Sequence, residues 1–464
     1  MKTYQDLLEL GEDESDIKEF LIAAINDHKS SELYRWAKEG EAYDKQQNTT
    51  IMAYVKLLHT ITGNVVPDNY SANHKLASNF YNRFNVQENQ YLLGNGVNFD
   101  NEDTKNKLGT KKKSFDTQIQ KLGKIALTQG QAFGFFNLDH IDVFTPLEFV
   151  PLLDEEDGSM KAGIRFWQID DRKPLRVTLY ELDGYTEYIR RSSDRDLEIY
   201  QPKRKYVLKT RYTAVDGKEI VDGENYSGFP VVPLWGNQDH VCKIKGWKRG
   251  IDCYDLIKSG FANDIDDASL IYWTIENAGG MDDIDLAEFI QHMKSVKAAI
   301  VQDDGAHIES HTQDVPVVAR ETYLTRLEKD LYKDAMALDT EAIANGNTVA
   351  TAIRAAYEPL NNKTDDFEYC IIEFIQNILD LAGIEDDPTF KRSTIINQTE
   401  ETNMVLAAAQ YLDSETILKH LPFINVDEID SILDNVTREE ANRFAQEGMN
   451  NGGSSEETDG QNIE

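Results

Sequence analysis

The stretch WKRGIDCYDLIKSGFANDIDDASLIYWTIENAGG, residues 247–280, carries no proline and repeats apolar side chains three and four residues apart: Tyr254, Ile257, Phe261, Ile265, Ala268, Tyr272 and Ile275. That spacing is one face of a helix. Asp252, Ser259, Asn263, Asp266, Asp267 and Thr274 fall on the other side, where only Leu256 and Leu270 break the polarity. A helix over residues 248–278 would be a rod of roughly 45 Å at 1.5 Å per residue. Gly279-Gly280 ends it, and a second helix is predicted from near Arg320, with Leu327, Leu331 and Ala335 on one side. Two rods joined at one end make a stalk.

Between the rods, residues 281–317 read as a small α/β knob. Ile284, Phe289, Ile290 and Met293 share a helical face, and a hairpin is predicted in which 298–301 and 307–309 flank the turn Asp303-Asp304-Gly305. Beyond the second rod lies 338–347, Leu-Asp-Thr-Glu-Ala-Ile-Ala-Asn-Gly-Asn, a loop without lysine or arginine in which Gly346 supplies backbone freedom. Upstream, helices are predicted over 16–40, 73–93 and 104–129. Residues 130–234 alternate in short runs separated by Asp157-Gly158, Asp183-Gly184 and Asp216-Gly217, which marks a mostly antiparallel β region closed by Pro230-Val-Val-Pro233. Downstream, a helix from Thr348 is expected to break at Pro359 and resume through Phe367, Ile371, Phe374 and Ile378. Short helices follow to about 447, and 448–464 is a polar, acidic tail.

The chain has 82 acidic and 48 basic residues, a net charge of −34. A protein that grips nucleic acid by its phosphates presents a basic surface, so this chain as a whole repels DNA. Three cysteines, Cys242, Cys253 and Cys370, fit a reducing compartment and no paired framework. No apolar run reaches the roughly 20 residues that span a bilayer. The acidic start MKTYQDLLELGEDESD lacks the pattern of a secretory signal.

The common catalytic signatures are absent. Gly109-Thr-Lys-Lys-Lys-Ser114 has neither the spacing nor the second glycine of a phosphate loop. Asp264-Asp266-Asp267, Asp282-Asp283-Asp285 and Asp303-Asp304 offer carboxylates for paired divalent metals, as in a nuclease, but no histidine or lysine is spaced to assist them. His240, Cys242 and Cys253 make three soft ligands where a structural zinc takes four. No cofactor is expected, and the chain reads as a non-enzyme. An acidic metal-dependent nuclease and a ring-forming scaffold or adaptor unrelated to DNA passage are the alternatives.

Several stretches resemble the portal proteins of tailed double-stranded DNA bacteriophages, in the branch from siphophages of Gram-positive hosts. They are Asn79-Phe80 with Tyr91-Leu-Leu-Gly94; Ala132-Phe133, Thr145-Pro-Leu-Glu148 and Ile164-Arg165; Phe229-Pro-Val-Val-Pro-Leu-Trp-Gly-Asn237 followed by Gly250-Ile-Asp-Cys-Tyr-Asp255 and Ser259; Asn345-Gly-Asn347 with Ala350 and Ala352; and Tyr411-Leu-Asp-Ser-Glu-Thr416 with Leu421-Pro-Phe423. The likeness covers about residues 30–440. Each motif is short, and their order around a stalk, a knob and a loop carries the resemblance.

The resemblance implies an α+β portal fold assembled as a ring, usually of twelve subunits. Its parts would be a mixed α/β wing over 1–245, a first stem helix over 246–280, a clip over 281–317, a second stem helix over 318–338, a tunnel loop over 339–350, a long kinked wing helix over 351–390 and a helical crown over 391–447. It further implies a channel at one capsid vertex for DNA packaging and ejection, assembled in the host cytoplasm and carried in the virion, with no membrane contact. Partners would be the terminase large subunit, head–tail adaptors, and the major capsid and scaffolding proteins. Asp252, Ser259, Asn263, Asp266 and Asp267 would line the channel; Thr340, Glu341, Asn345, Gly346 and Asn347 would face DNA; Ile284, Phe289, Asp303, Asp304 and His307 would form the docking clip.

Overall fold

The computed structural model describes residues 2–11, 13–59, 64–68, 71–101, 103–192, 194–213, 219–268, 272–276, 307–311, 315–340, 350–393, 402, 405–421, 424, 429 and 431–438. The chain divides into two units, 1–393 and 394–464.

The first unit starts with four helices, α1 (Tyr4–Glu9), α2 (Glu14–Ser30), α3 (Glu32–Asp44) and α4 (Thr49–Ala53). The single helix predicted over 16–40 is therefore two. Ser31, extended at φ −70° and ψ 156°, ends α2 and caps α3 by accepting the Tyr34 N–H at 3.1 Å, a role serine fills better than most residues. A short hairpin, β1 (Leu57–His59) and β2 (Val65–Pro67), leads to α5 (Phe80–Leu93) and β3 (Val97–Asn98). The prediction over 104–129 also splits, into α6 (Asp103–Leu108) and α7 (Phe115–Gln129). Between them Thr110 N–H bonds Lys113 O, and Lys113 N–H bonds Thr110 Oγ1, closing a tight turn. Gly130 ends α7 in the left-handed region, φ 86°. There a Cβ would lie 2.9 Å from Cys242 Cβ, so conformation and space both require glycine.

The β region follows: β4 (Gln131–Asn137), β5 (His140–Phe144), β6 (Phe149–Leu153), β7 (Met160–Trp167), β8 (Leu175–Glu181), β9 (Gly184–Arg190), β10 (Glu198–Arg204), β11 (Val207–Thr213), β12 (Glu219–Glu224) and β13 (Val231–Trp235). All their pairings are antiparallel, in sheets ordered β10-β9-β8-β7-β6, β13-β4-β5 and β11-β12. Of the segment read as a closing connection, residues 231–233 are thus part of a strand. Proline is tolerated there because β13 is an edge. Phe136 N–H bonds Pro230 O and Gly236 N–H bonds Gly130 O, which leaves Pro233 at an outward-facing position where no N–H is needed.

The long helix α8 runs Ile244–Ala268, followed by β14 (Tyr272–Glu276), β15 (His307–His311), α9 (Val317–Asp334), α10 (Ala350–Ala382) and β16 (Thr389–Phe390). The first rod is therefore shorter than predicted. Tyr272 and Ile275 leave the helical face for a strand that pairs with His307–His311, Tyr272 opposite His311. Asp264, Asp266 and Asp267 in the last turns oppose the negative end of the helix dipole, and Tyr-Trp-Thr-Ile is a strand-forming run, so both preferences favour the early stop. Residue 307 begins a strand as predicted, but its partner is 272–276; 298–301 lie outside the described residues. The predicted break at Pro359 does not occur either, since α10 continues through it. Tyr357 and Leu360 beside it are buried with Tyr91 and Leu338, and this packing on both sides outweighs one missing helix hydrogen bond.

Two cores organise these elements. In the first, Phe367, Phe374 and Ile378 of α10 meet Leu122 and Ala126 of α7, Phe136 of β4 and Leu234 of β13. In the second, Phe20, Leu21 and Ile25 of α2 cover Val150, Ile164, Val177 and Tyr188 of the five-stranded sheet. In the second unit, Asp413 caps α11 (Ser414–His420) by accepting the Thr416 N–H at 3.1 Å, after a single 3-10 turn over Ala409–Tyr411.

Candidate functional site

The long helices α8 and α9 are the elements on which the sequence placed a function, and the structure shows what holds them. Ile244 and Ile251 of α8 are buried with Tyr43, Phe80, Tyr81, Phe84 and, from α9, Leu331 and Ala335. Near the far end of α8, Arg320 of α9 ion-pairs with Asp264 and lies 5.9 Å from the Phe261 ring centroid. Ile251 with Leu331 and Asp264 with Arg320 fix the two helices as antiparallel neighbours.

The side of α8 read as an open polar face is turned to the chain's own N-terminal segment. Residues 73–79, predicted as the start of a helix, form none. Ser78 N–H donates to Asp255 Oδ1 at 2.8 Å, Leu76 N–H to Ser259 Oγ at 2.9 Å, and His74 N–H to Asn263 Oδ1 at 2.6 Å. The match is geometric. Alternate residues of an extended chain repeat every 6.6 Å or so, and helix positions four apart repeat every 6 Å or so, so three donors meet three acceptors in step. These bonds replace the helical ones that 74–78 would otherwise make, which is why no helix forms there. Asp255 and Ser259 are 0% and 3% exposed, and Asn263 is 7% exposed. Burial raises the Asp255 carboxyl above its usual range, although the bonds from Asn48 and Ser78 oppose that shift. His74 Nε2 also lies 2.8 Å from Asp266 Oδ2.

One turn below, Lys248 Nζ donates to Tyr43 Oη (2.8 Å), Thr50 Oγ1 (2.7 Å) and Asp252 Oδ2 (3.0 Å), and pairs with Glu39 at 3.0 Å. Burial disfavours the ammonium there, and the bonds to Tyr43, Glu39 and Asp252 more than offset it, holding Lys248 above its ordinary pKa. Tyr43 donates to Asp252. The stretch 44–50, read as a linker, thus supplies ligands to the helix base.

A second charged cluster joins α5, the start of α8 and α10. Glu88 is fully buried between Lys243 Nζ at 2.5 Å and Lys363 Nζ at 2.8 Å. Burial, followed by repulsion from Lys363, lowers the Lys243 pKa to about 8, while Glu88 works in the opposite direction. Lys363 lies 4.9 Å from the Trp247 ring centroid and Lys243 6.0 Å from that of Phe367. Nothing in the sequence signalled this cluster, because its members are separated by 155 and 275 residues along the chain with no motif around any of them.

The residues singled out from sequence are therefore not brought together as one surface. Asp252, Ser259 and Asn263 hold the chain's own strap and base, which corrects their reading as an open channel lining. Asp266 is exposed beside His74, and Asp267 lies on the last turn of α8. Thr340 is exposed, and His307 begins β15. Glu341, Asn345, Gly346, Asn347, Ile284, Phe289, Asp303 and Asp304 lie outside the described residues. Of the soft ligands, Cys242 is buried and takes the Tyr81 hydroxyl as a 3.9 Å neighbour, and burial pushes its thiol up to about 11. Among the described residues no helix is long and apolar enough to cross a membrane.

Comparisons with known proteins place this arrangement. The sequence matches the family described as "Phage portal protein, SPP1 Gp6-like" over residues 34–450. It is 24% identical over 217 residues to the portal protein of Clostridium phage phiCD119, covering 45% of this chain and 48% of that one. It is 22% identical over 345 residues to the portal protein of Bacillus phage SPP1, covering 62% and 67%. The matched stretch thus spans about half the length of the first relative and two thirds of the second. Among solved structures, it is similar to the neck of a native gene transfer agent particle computed with C12 symmetry, at a TM-score of 0.44, 10% identity and coverage of 75% and 90%. The virion of the native particle gives a TM-score of 0.43, 11% identity and coverage of 73% and 88%. With the family match extending over nearly the whole length, the chain belongs to the SPP1 Gp6-like family of phage portal proteins.

Proposed function

We propose that this chain is the subunit of a ring-shaped channel at one capsid vertex, through which double-stranded DNA is packaged and later ejected. The observation that carries this reading is the family match over residues 34–450. The antiparallel pair α8 and α9 supplies the stem. Residues 281–317 form the clip that docks the terminase and later the head–tail adaptors, 339–350 form the tunnel loop, and the helices after residue 391 the crown. The chain itself drives no chemistry; a separate terminase supplies the energy. On the stem, Asp266, which stays exposed beside His74, and Asp267 are the acids kept for the channel, because Asp252, Ser259 and Asn263 are drawn in against the strap and base. Carboxylates facing a bore repel phosphates and prevent durable contacts, within a screening distance of about 8–10 Å in cellular salt.

Electron microscopy of the purified protein tests the assembly. Closed rings of about a dozen subunits are the expected result, and monodisperse monomers under all conditions overturn the reading. The loop has its own test. Asn345 and Asn347 make weak, exchangeable phosphate contacts where arginine makes charge-assisted ones. Asn345→Arg or Asn347→Arg is expected to leave assembly intact and slow DNA packaging at least tenfold. Unchanged packaging by both variants removes the case for a non-adhesive loop.

A further inference from the structure

Residues 104–124 hold seven lysines and a single carboxylate, Asp116, a local net charge of +6 inside a chain of −34. Three of the seven are spoken for: Lys105 pairs with Asp116 at 3.0 Å, Lys113 with Asp142, and Lys124 with Asp44 at 3.2 Å. Lys107, Lys111, Lys112 and Lys121 are exposed and make no ion pair among the described residues. In a chain with 82 carboxylates, four neighbouring lysines without a carboxylate partner among the described residues are a local exception.

Their backbone is not a loose loop. Leu108 and Phe115, at the two ends of the turn, are 0% and 2% exposed and belong to the main core. The Thr110–Lys113 bonds close the turn between them, at 3.0 Å and 3.2 Å. The Lys113 ammonium is tied back to Asp142 and lies 3.1 Å from His140 Nε2. Lys111 and Lys112 are thereby held outward at the tip, with Lys107 on α6 and Lys121 on α7.

We propose that this lysine turn is a contact surface for the phosphate backbone of duplex DNA, on an element separate from the stem helices and the tunnel loop. The residue types decide between partners. All four are lysines, point charges on flexible stems, with no arginine fork for bidentate carboxylate recognition and no exposed aromatic ring in 104–124 to pack on a protein or stack on a base. That set suits a repeating phosphate array read without sequence preference. Across the remainder of the chain the net charge is strongly negative, so DNA brought near it is attracted here and repelled elsewhere. The role deepens the portal reading by adding a place where DNA is held to the place where it must slide.

The test uses the full-length purified protein and a fluorescein-labelled 30-base-pair duplex, read by anisotropy between 50 and 200 mM NaCl. If each lysine displaces about one counterion, log Kobs falls against log salt with a slope of roughly −3.5, independent of duplex sequence. Replacing Lys107, Lys111, Lys112 and Lys121 together by glutamine is expected to weaken binding at least a hundredfold at 50 mM salt. The four side chains are exposed, so the variant folds, and its melting temperature and assembly state verify this. Absence of duplex binding by the unaltered protein, or equal binding by the glutamine variant, overturns the proposal. Poly-L-glutamate of matched charge, binding as tightly as the duplex, overturns it in favour of an acidic protein partner. Rings that form without binding the duplex sink this inference alone, whereas failure of the ring is read separately by microscopy.

Discussion

Replacing Glu88 by alanine is expected to destabilise the first unit by about 3–5 kcal/mol, because it leaves two ammonium groups without their shared counter-charge in a site closed to water. Glu88 is wholly buried, with Lys243 and Lys363 at 2.5 and 2.8 Å. Urea unfolding of the variant measures the loss. The triple change Glu88→Leu, Lys243→Met and Lys363→Met removes every charge at once and is expected to recover most of it. A loss below about 1 kcal/mol in Glu88→Ala would show that the cluster is solvated and holds nothing together. The same cluster makes stability pH-dependent. Lys243 titrates near 8 in the folded chain against an ordinary value of 10.5. Between those values the unfolded state holds a proton that the folded state does not, so stability rises with pH across the window, by up to about 1.4 kcal/mol per unit. The contribution is lost as pH falls through 8. Lys243→Met is expected to flatten that rise.

The second large effect lies at the strap. Asp255→Ala removes the acceptor for the Ser78 N–H and the Asn48 amide, both buried. Unpaired buried donors cost about 1–3 kcal/mol each, so a loss of roughly 2–4 kcal/mol is expected after relief of the carboxylate's own burial. Asp255→Asn keeps one acceptor oxygen and is expected to cost less than half as much. Amide hydrogen exchange locates the damage. His74, Leu76 and Ser78 should lose protection together in Asp255→Ala, while the core of α8 near Ile251 keeps it. Global exchange without a local step at 74–78 would mean that the strap is not a separable element. If it is separable, the strap is one of the contacts that hold α8 against the N-terminal segment.

What could be read in advance followed local chemistry. The antiparallel β region over 130–234 was legible because alternation and Asp-Gly turns act over a few residues. The helix pair α8 and α9 was legible because an apolar face repeats along each. Two of the errors have one cause, competition from partners distant in sequence. Residues 73–79 carry helical spacing, but Asp255, Ser259 and Asn263 capture their N–H groups from almost 200 positions away. Pro359 should end a helix, but the packing of Tyr357 and Leu360 carries the helix through. Residues 16–40 lack a proline or glycine break before Ser31, whose cap decides the split.

The amino-acid sequence by itself determined the order of parts, the acidity, and through its scattered motifs the portal family. Those properties reside in composition, in period and in short runs, which survive without knowledge of the fold. Only the tertiary structure decided which polar side of α8 is free. The helical period shows that Asp252, Ser259, Asn263 and Asp266 are directed away from the apolar seam; it cannot show that His74 and Leu76 already lie against Ser259, Asn263 and Asp266, and Tyr43 and Thr50 against Asp252. The Glu88 cluster and the fixed lysine turn belong to the same class. Each is made by side chains that acquire meaning only when folding brings their elements together and excludes water, which raises the cost of a charge without a partner and leaves the exposed, unpaired ones to be noticed.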